Sequence, residues 1–425
     1  MKILVIGSGG REDAIVQKLH RDAIVSGTLD QLTLFAAPGN PGMAKVATLV
    51  QRTVEDLDGL LAFAKSESID LTIVGPEVPL ALGLVDRFEK AGLAIFGPNQ
   101  TAAKLESSKA YAKAFMVKAG IPTPAYREFD DLHEALHYVT SIEPPIVIKA
   151  DGLAAGKGVT VAKTVDEARQ AIIAAIEQRA FGDAGARVVI EQFVEGSELS
   201  LMAFVDQHGF LMMPAIQDHK QVFDHDEGPN TGGMGTFYPV PAATQDVLQK
   251  VHDEVFSRVV AQLQAQNITY RGVLFAGIIV QDGQPYVIEF NVRFGDPETQ
   301  VVMELLQTDL LSLLQAVLQD RVQTHPAYFS TDPTVCVVLT CAGYPQAYKK
   351  GLLIEGLESI PSPAYVLHAG TTLDDFGHTV TDGGRVLGVV ARATSLEKAR
   401  DAAYRGVDHI DFEGKHYRSD IGTRM

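Results

Sequence analysis

Four short apolar runs punctuate the first hundred residues, at 3–6, 32–36, 71–74 and 94–96, and each ends in a turn carrying glycine or proline. Helical spacing of apolar residues fills the intervals at about 11–19, 54–65 and 80–91. Mostly apolar runs alternating with helices describe parallel strands buried on both faces, because parallel neighbours need a crossover helix between them. The turns GSGG, APGNPG, GPEVP and GPN all fall at the carboxyl ends of these runs, where open α/β sheets gather their ligands. The expected fold is therefore α/β, opening with a doubly wound parallel-sheet domain.

Beyond Ser107 the pattern changes. A helix at about 107–118 ends near Gly120, and IPTP (121–124) forms a stiff connector. A compact unit follows: a helix, strands at 146–150 and 159–162 joined by a glycine turn, a helix at 165–177 and a strand at 187–192. Strands at 335–341 and 386–393 and a helix at 396–409 describe a small α+β domain at the far end. A chain of 425 residues exceeds a single core. The expected division is 1–104, then 105–328 with a mobile lid subdomain at 123–195, then 329–425.

Composition narrows the function classes. A formal charge of −17 disfavours a nucleic-acid partner, which needs a net basic face. No apolar run approaches the roughly 18–20 residues of a membrane span. Met1 leads directly into strand-like sequence, leaving no room for a secretory signal, and the only cysteines, Cys336 and Cys341, suggest neither a disulfide framework nor a zinc site. A cytoplasmic, monomeric protein acting on small molecules is expected.

Two stretches carry the chemistry. In IVIKADGLAAGKGV (146–159), Lys149 and Lys157 bracket a glycine turn whose amides can converge on one anion. This is not a Walker loop, since Gly158 stands where Ser or Thr would bind magnesium, and a plain hairpin is the competing reading. In VIEFNVRFGDPETQ (287–300), Glu289 and Asn291 lie two apart on a strand and so face one side. A carboxylate and an amide oxygen, completed by phosphates and water, suit magnesium better than a softer metal. Arg293 continues that face towards a transferring phosphoryl group, while Phe290 and Val292 point into a core. A polar edge strand would show the same alternation, but the GDPETQ continuation favours the metal site.

Three weaker signals accompany these. EQFVEGSE (191–198) crosses between strands at Gly196, exposing backbone groups to an adenine edge and Glu198 to ribose hydroxyls. The polar segment 217–235 suits a small-ligand cradle, and its His219 and His225, irregularly spaced with Asp218 and Asp224, are expected at the surface. In GSGGRE, Glu12 occupies the position where a dinucleotide fingerprint needs glycine, which argues against NAD. The turn still offers helix N-terminal amides and Arg11 to a second phosphate ligand. A metal, a phosphate loop and an arginine suffice to move a γ-phosphoryl group from ATP. A carboxylate acceptor would form an acyl phosphate, and that species needs a water-excluding cover such as 123–195.

The stretches ILVIGSGGRE, APGN, LTIVGPEVPL, IFGPN, SSKAYAKAFM, PIVIKADGLAAGKGV, QDHK, GPNTGGMG, EFNVRFGDPETQ, HAGT, GGRVL and YRSDIG go further. With them the chain resembles, over practically its whole length, the glycinamide ribonucleotide synthetase (phosphoribosylamine–glycine ligase) family of the ATP-grasp superfamily. The resemblance implies that ATP phosphorylates glycine and that the amine of 5-phosphoribosylamine attacks glycyl phosphate. Glycinamide ribonucleotide, ADP and phosphate would result, in the second step of de novo purine synthesis, with ATP and Mg2+ or Mn2+ as cofactors. It also implies roles for Arg293 and Lys149 in catalysis, and for Lys109, Lys149, Gly156, Lys157 and Gly158 on the nucleotide. Glu191, Phe193, Val194 and Glu198 would contact the adenosine, and Glu289 and Asn291 the metal. Gly9, Gly10, Arg11, Glu77, Asp218, Lys220, Asn230, Thr231, Gly232 and Gly233 would hold glycine and phosphoribosylamine. The chain departs from the family pattern at Asp13, where GGREH has histidine, at Ile216 and Gln221 around QDHK, and in TFYP after GGMG. An ATP-grasp ligase using formate or bicarbonate, and a non-catalytic nucleotide sensor, are the rival readings.

Overall fold

The computed structural model describes residues 1–153 and 158–423. Its first sheet is parallel, built from β1 (Lys2–Gly7), β2 (Thr33–Pro38), β3 (Thr48–Leu49), β4 (Leu71–Val74) and β5 (Ile95–Phe96) in the order β3-β2-β1-β4-β5. Ile3, Leu4, Val5 and Ile6 of the central strand are fully buried, as a run covered on both faces must be. The strand order reverses between β1 and β4, which places the GSGG and GPEVP turns side by side at the switch point. Glycine is needed there for space: a Cβ on Gly75 would sit 2.0 Å from Glu12 Oε1, and one on Gly7 2.5 Å from Glu12 Cγ.

Helix α1 (Gly10–Ser26) runs past the expected end at 19 and stops only at Gly27, which takes the left-handed φ of 70° that a C-terminal cap favours. After α2 (Leu57–Ser66), the helix expected at 80–91 is instead two pieces, α3 (Glu77–Ala81) and α4 (Leu84–Lys90), separated by Gly83 at φ 83°. Next come α5 (Lys104–Ser107) and α6 (Lys109–Ala119), divided by the extended Ser108, whose hydroxyl accepts from the Tyr111 amide and so caps α6.

Residues 126–192 then form a layer with its own core: β6 (Tyr126–Phe129), α7 (Leu132–Val139), β7 (Ile146–Ala150), β8 (Val159–Ala162), α8 (Val165–Ile172) and β9 (Val188–Gln192). The antiparallel sheet β6-β9-β7-β8 packs Ile146, Ile148 and Ile190 against Ala135, Val139 and Ile172 of the helices. Residues 197–238 give β10 (Ser197–Val205), β11 (Phe210–Met212), β12 (Gln217–Asp218), the hairpin of β13 (Gln221–Phe223) and β14 (Glu227–Asn230), and β15 (Gly235–Tyr238). The polar segment 217–235 thus contains short paired strands. Helices α9 (Gln245–Lys250) and α10 (Ser257–Ala265) lead into β16 (Gly272–Gln281), β17 (Gln284–Asn291), α11 (Glu298–Leu305) and α12 (Leu310–Leu318).

The antiparallel sheet β11-β10-β16-β17 leaves β17 at an edge. A bulge opposes Gly277 to Glu289 and Ile278 to Val287, leaving Ile288 as the extra residue. The last part contributes β18 (Thr334–Cys341), β19 (Tyr365–His368), the hairpin of β20 (Thr371–Leu373) and β21 (Thr379–Thr381), β22 (Arg385–Arg392), α13 (Leu396–His409) and β23 (Lys415–His416). The sheet β12-β15-β18-β22-β19, with β23 also on β18, joins strands from both sides of residue 300, so this part is stitched to the one before it. Cys336 and Cys341 are buried free thiols on β18. Among the described residues no helix is long and apolar enough to cross a membrane.

Candidate active site

The carboxyl edge of the first sheet, the 126–192 layer, the edge strand β17 and the C-terminal part enclose a cleft of about 550 Å³, within the range of small-ligand sites. At its centre β17 turns Glu289 and Asn291 outwards while Phe290 and Val292 stay 2% and 1% exposed, the alternation expected of a half-buried strand. A Cβ on Gly277 would lie 3.0 Å from Glu289 Cγ, so the partner strand is bare where this carboxylate needs room.

Arg293, two residues on, is clasped by two carboxylates. Its Nε lies 3.3 Å from Glu77 Oε2, its Nη2 3.1 Å from Glu106 Oε1, and Nη2 also donates to Asn291 Oδ1 at 3.3 Å. Glu106 is fixed in turn, its Oε2 accepting from the Val292 amide at 2.8 Å. Burial disfavours charge on Arg293, but Glu106 and Glu77 outweigh it and hold the guanidinium protonated. Glu289 shows the converse balance. Burial pushes its pKa up, yet Lys220, Lys149, Lys109 and Arg293 together bring it down to about 2. Lys220 Nζ stands 3.6 Å from Glu289 Oε1. An ionised carboxylate beside an amide oxygen fits a hard divalent cation. Among the described residues no group of three or more His, Cys, Asp or Glu could hold a metal, so a cation here needs further oxygens from its ligand.

At the other end, Lys149 on β7 donates to the carbonyl of Ile288, the bulged residue of β17, at 2.8 Å. It also lies 3.0 Å from Glu191 Oε1, while Lys113 pairs with Glu191 Oε2 at 2.8 Å. Glu191 Oε1 is buried and, despite the nearby ammonium, has no aligned donor, so one lone pair remains for a ligand. Burial lowers Lys113 to about 8 against the opposing pull of Glu191. Lys109, also held below its ordinary value by burial, donates to the Gly152 carbonyl at 2.7 Å and so ties α6 to the start of the glycine turn. Gly158, Phe193, Val194 and Glu198 line the same end, whereas Gly156 and Lys157 lie outside the described residues.

The third group of expected residues is split. Arg11, Glu77, Asp218, Lys220, Asn230, Thr231 and Gly232 line the cleft, but Gly9, Gly10 and Gly233 do not. The Gly9 amide is already bound to Glu12 Oε2 at 2.7 Å, so Glu12 is the cap of its own helix. Gly10 makes room for Gln300 and Gly233 for Asp218, whose oxygens would lie 2.7 and 2.9 Å from a Cβ there. Asp218 Oδ1 is buried without a partner, and burial plus Glu298 raise its pKa well above the usual range despite Lys220 and Arg385. An orphaned oxygen of this kind is an acceptor poised for a ligand's N–H group. Burial disfavours charge on Lys220, but Glu289, Glu198 and Asp218 more than compensate and keep it an ammonium.

Several lining residues were not anticipated. Arg385 at the start of β22 donates to the carbonyls of Gly232 (2.6 Å) and Asp296 (2.8 Å), and its Nη2 lies 3.3 Å from Asp296 Oδ2. The Tyr344 hydroxyl accepts from the Gly232 amide at 2.9 Å, so two C-terminal residues hold the Asn230–Gly232 turn. Lys113 had a usable signal, since it follows Lys109 by four on one helix and must share its face. Arg385 had none. One expectation is corrected: His219, placed at the surface from its polar neighbours, is 4% exposed. Its Nδ1 meets the Gly235 carbonyl at 3.2 Å, and burial together with Arg418 lowers it to about 4.

Asp13 lies away from the cleft. Its Oδ2 accepts from the His368 amide at 2.6 Å and its Oδ1 from Gln17 at 3.2 Å, yet burial still raises it to about 7. A carboxyl with a raised folded pKa favours the protonated form, so its contribution is best at low pH and erodes as pH rises from about 4 to about 7. Asp13→Asn cannot ionise. Its melting temperature relative to wild type is expected to climb across that window, by the equivalent of at most about 4 kcal/mol. A difference that is flat with pH would contradict this.

Comparison with known proteins matches three consecutive family models: "Phosphoribosylglycinamide synthetase, N domain" over residues 1–106, its "ATP-grasp (A) domain" over 107–299 and its "C domain" over 334–424. The chain is 49% identical to a phosphoribosylamine–glycine ligase of Xanthomonas axonopodis pv. citri, covering 100% of this chain and 98% of that one. It is 44% identical to one from Caldanaerobacter subterraneus subsp. tengcongensis, covering 100% of both. The crystal structure of phosphoribosylamine–glycine ligase from Thermotoga maritima superposes with a TM-score of 0.86 at 33% identity, over 99% of this chain and 100% of that one. The biotin carboxylase domain of the Hydrogenobacter thermophilus 2-oxoglutarate carboxylase shares the fold, with a TM-score of 0.74 at 17% identity over 97% of this chain and 91% of that one.

Proposed function

The chain belongs to the phosphoribosylglycinamide synthetase family, and from that premise we propose that it joins glycine to 5-phosphoribosylamine in an ATP-driven reaction through glycyl phosphate. The observation that carries this reading is the convergence of Glu289, Asn291 and Arg293 on one wall of a cleft that Lys109, Lys149 and Lys220 also face.

The nucleotide phosphates would lie along Lys109, Lys149 and Gly158, with Gly156 and Lys157 completing the loop, and the adenosine against Glu191, Phe193, Val194 and Glu198. Glu191 Oε1 offers its spare lone pair to the exocyclic amine of the base. Glu289 and Asn291 would hold Mg2+, or Mn2+ in its place, which when bound neutralises phosphate charge as the γ-phosphoryl group departs. Arg293, kept charged and aimed by Glu77 and Glu106, faces the same group. The unpartnered Asp218 oxygen suits the glycine amine, and the Lys220 ammonium its carboxylate. Gly9, Gly10, Arg11, Asn230, Thr231, Gly232 and Gly233 would then shape the phosphoribosylamine side.

In the first step a glycine carboxylate oxygen attacks the γ-phosphorus and the bond to the ADP oxygen breaks. In the second, the phosphoribosylamine nitrogen attacks the acyl carbon, the C–N bond forms, the C–O bond to phosphate breaks and the amine loses a proton. Glycinamide ribonucleotide, ADP and phosphate leave. Water would hydrolyse the acyl phosphate, so the 123–195 subdomain of the 105–328 domain is read as a lid, with 1–104 and 329–425 forming the other walls of the cleft.

The test is ADP release with freshly generated phosphoribosylamine and either glycine or formate. Glycine is expected to exceed formate by at least about a hundredfold, because a site with buried groups for the amine rejects an analogue lacking it. Faster release with formate, or with bicarbonate in its place, would favour the rival ligase, and release with none of the three would favour a sensor.

A further inference from the structure

The end of the chain closes on the hairpin that carries one wall of the cleft. At the base of that hairpin Gln221 pairs with Asn230, and Gln221 Nε2 donates to Asn230 Oδ1 at 3.2 Å. Thr231 donates to the Lys220 carbonyl through both its amide (2.7 Å) and its hydroxyl (2.8 Å). Lys220 and the Asn230–Gly232 turn are therefore one piece of backbone. At the tip, His225 and Asp226 take left-handed φ values of 60° and 56°, which a non-glycine residue keeps only when its surroundings impose them.

Residues 416–420 impose them. The Arg418 guanidinium is fully buried and donates through Nη1 to Asp226 Oδ1 (2.8 Å) and the Gln221 carbonyl (3.2 Å), and through Nε and Nη2 to Asp420, at 2.7 Å each. Asp420 Oδ2 accepts from the His225 amide at 2.9 Å. The Ser419 amide donates to Asp224 Oδ1 at 2.8 Å and its hydroxyl to Asp224 Oδ2. One guanidinium thus reaches both the base and the tip of the hairpin, while neither it nor its neighbours line the cleft.

We propose that Arg418 is a positioning residue: with Ser419 and Asp420 it clamps the 221–230 hairpin and so sets where Lys220 and the Asn230–Gly232 turn stand in the cleft. A buried guanidinium with four hydrogen bonds suits this task, because such a pair can fix one register even where it adds little stability. The inference rests on the reading that this turn meets glycine and phosphoribosylamine rather than nucleotide.

Arg418→Lys keeps the charge but loses the planar fork, and Ser419→Ala removes an exposed contact at low risk to folding. Arg418→Lys is expected to raise KM for glycine or phosphoribosylamine about tenfold, and Ser419→Ala about threefold, with KM for ATP within about twofold of wild type. Equal shifts for all three substrates, or none, would overturn the proposal, and if Arg418→Lys fails to fold, Ser419→Ala decides. Amide exchange over 221–231 is expected to quicken in both variants, and unchanged exchange would overturn the clamp. Wild-type protein without glycine-dependent turnover would instead overturn the functional reading and leave the exchange result to judge the clamp.

Discussion

Glu289→Gln is expected to slow glycine-dependent ADP release by about a thousandfold or more, the scale of losing a charge that acts on the transferring group, while the fold melts within a few degrees of wild type. Glutamine preserves the shape that bare Gly277 accommodates, so the packing of β17 is untouched. What disappears is the charge. Burial opposes ionisation of Glu289, but four cations overrule it and set its pKa at about 2. The sign follows: a depressed carboxylate stabilises the fold above the unfolded pKa of about 4, and that contribution is lost as pH falls towards about 2. Its side chain is one-third exposed in the cleft, so solvent screening keeps the stability loss small beside the kinetic one. The checks are ADP release and a melting curve at neutral pH. Wild-type-like turnover would remove Glu289 from the metal site.

Arg293→Met should damage both activity and stability, and the two losses can be separated. Removing the guanidinium that is proposed to meet the transferring phosphoryl group is expected to cost on the order of a thousandfold in kcat. It also leaves Glu77 and Glu106 facing each other without their cation, and breaking a buried pair in this way costs roughly 3–5 kcal/mol. Burial already raises the Glu106 pKa against the pull of Arg293, so it is the partner most eager to shed charge. Arg293→Met combined with Glu106→Gln is therefore expected to regain much of the melting temperature, since the amide oxygen can still accept from Val292, but none of the turnover. Recovery of turnover in the double variant would show that Arg293 acts only as a structural counter-ion.

The parts legible in the sequence are those in which local periodicity reports directly on geometry. The unbroken run at β1 announced a strand covered on both faces, and the alternation Glu289–Phe290–Asn291–Val292 announced which side chains would meet. What stayed hidden depends on pairing between distant segments. Nothing near Arg385 or Arg418 shows that one will hold Gly232 and the other Asp226, because each contact spans more than 150 residues. The strands β12 and β15 likewise carry no mark that they will extend a sheet built mainly from the C-terminal part. His219 misled for a related reason: a polar run looks exposed until Phe237 and the β15 backbone close over it. Glu106 was missed because it falls just outside the helix expected at about 107–118, in a separate short helix Lys104–Ser107.

In the proposed reaction a glycine carboxylate takes up the γ-phosphoryl group in this cleft before any nitrogen attacks. Glycine carrying heavy oxygen in its carboxylate, turned over with ATP and phosphoribosylamine, tests this most directly. Each phosphate released is expected to contain one glycine-derived oxygen, detected by mass or phosphorus resonance shift. Phosphate free of label, with glycinamide ribonucleotide still formed, would contradict it.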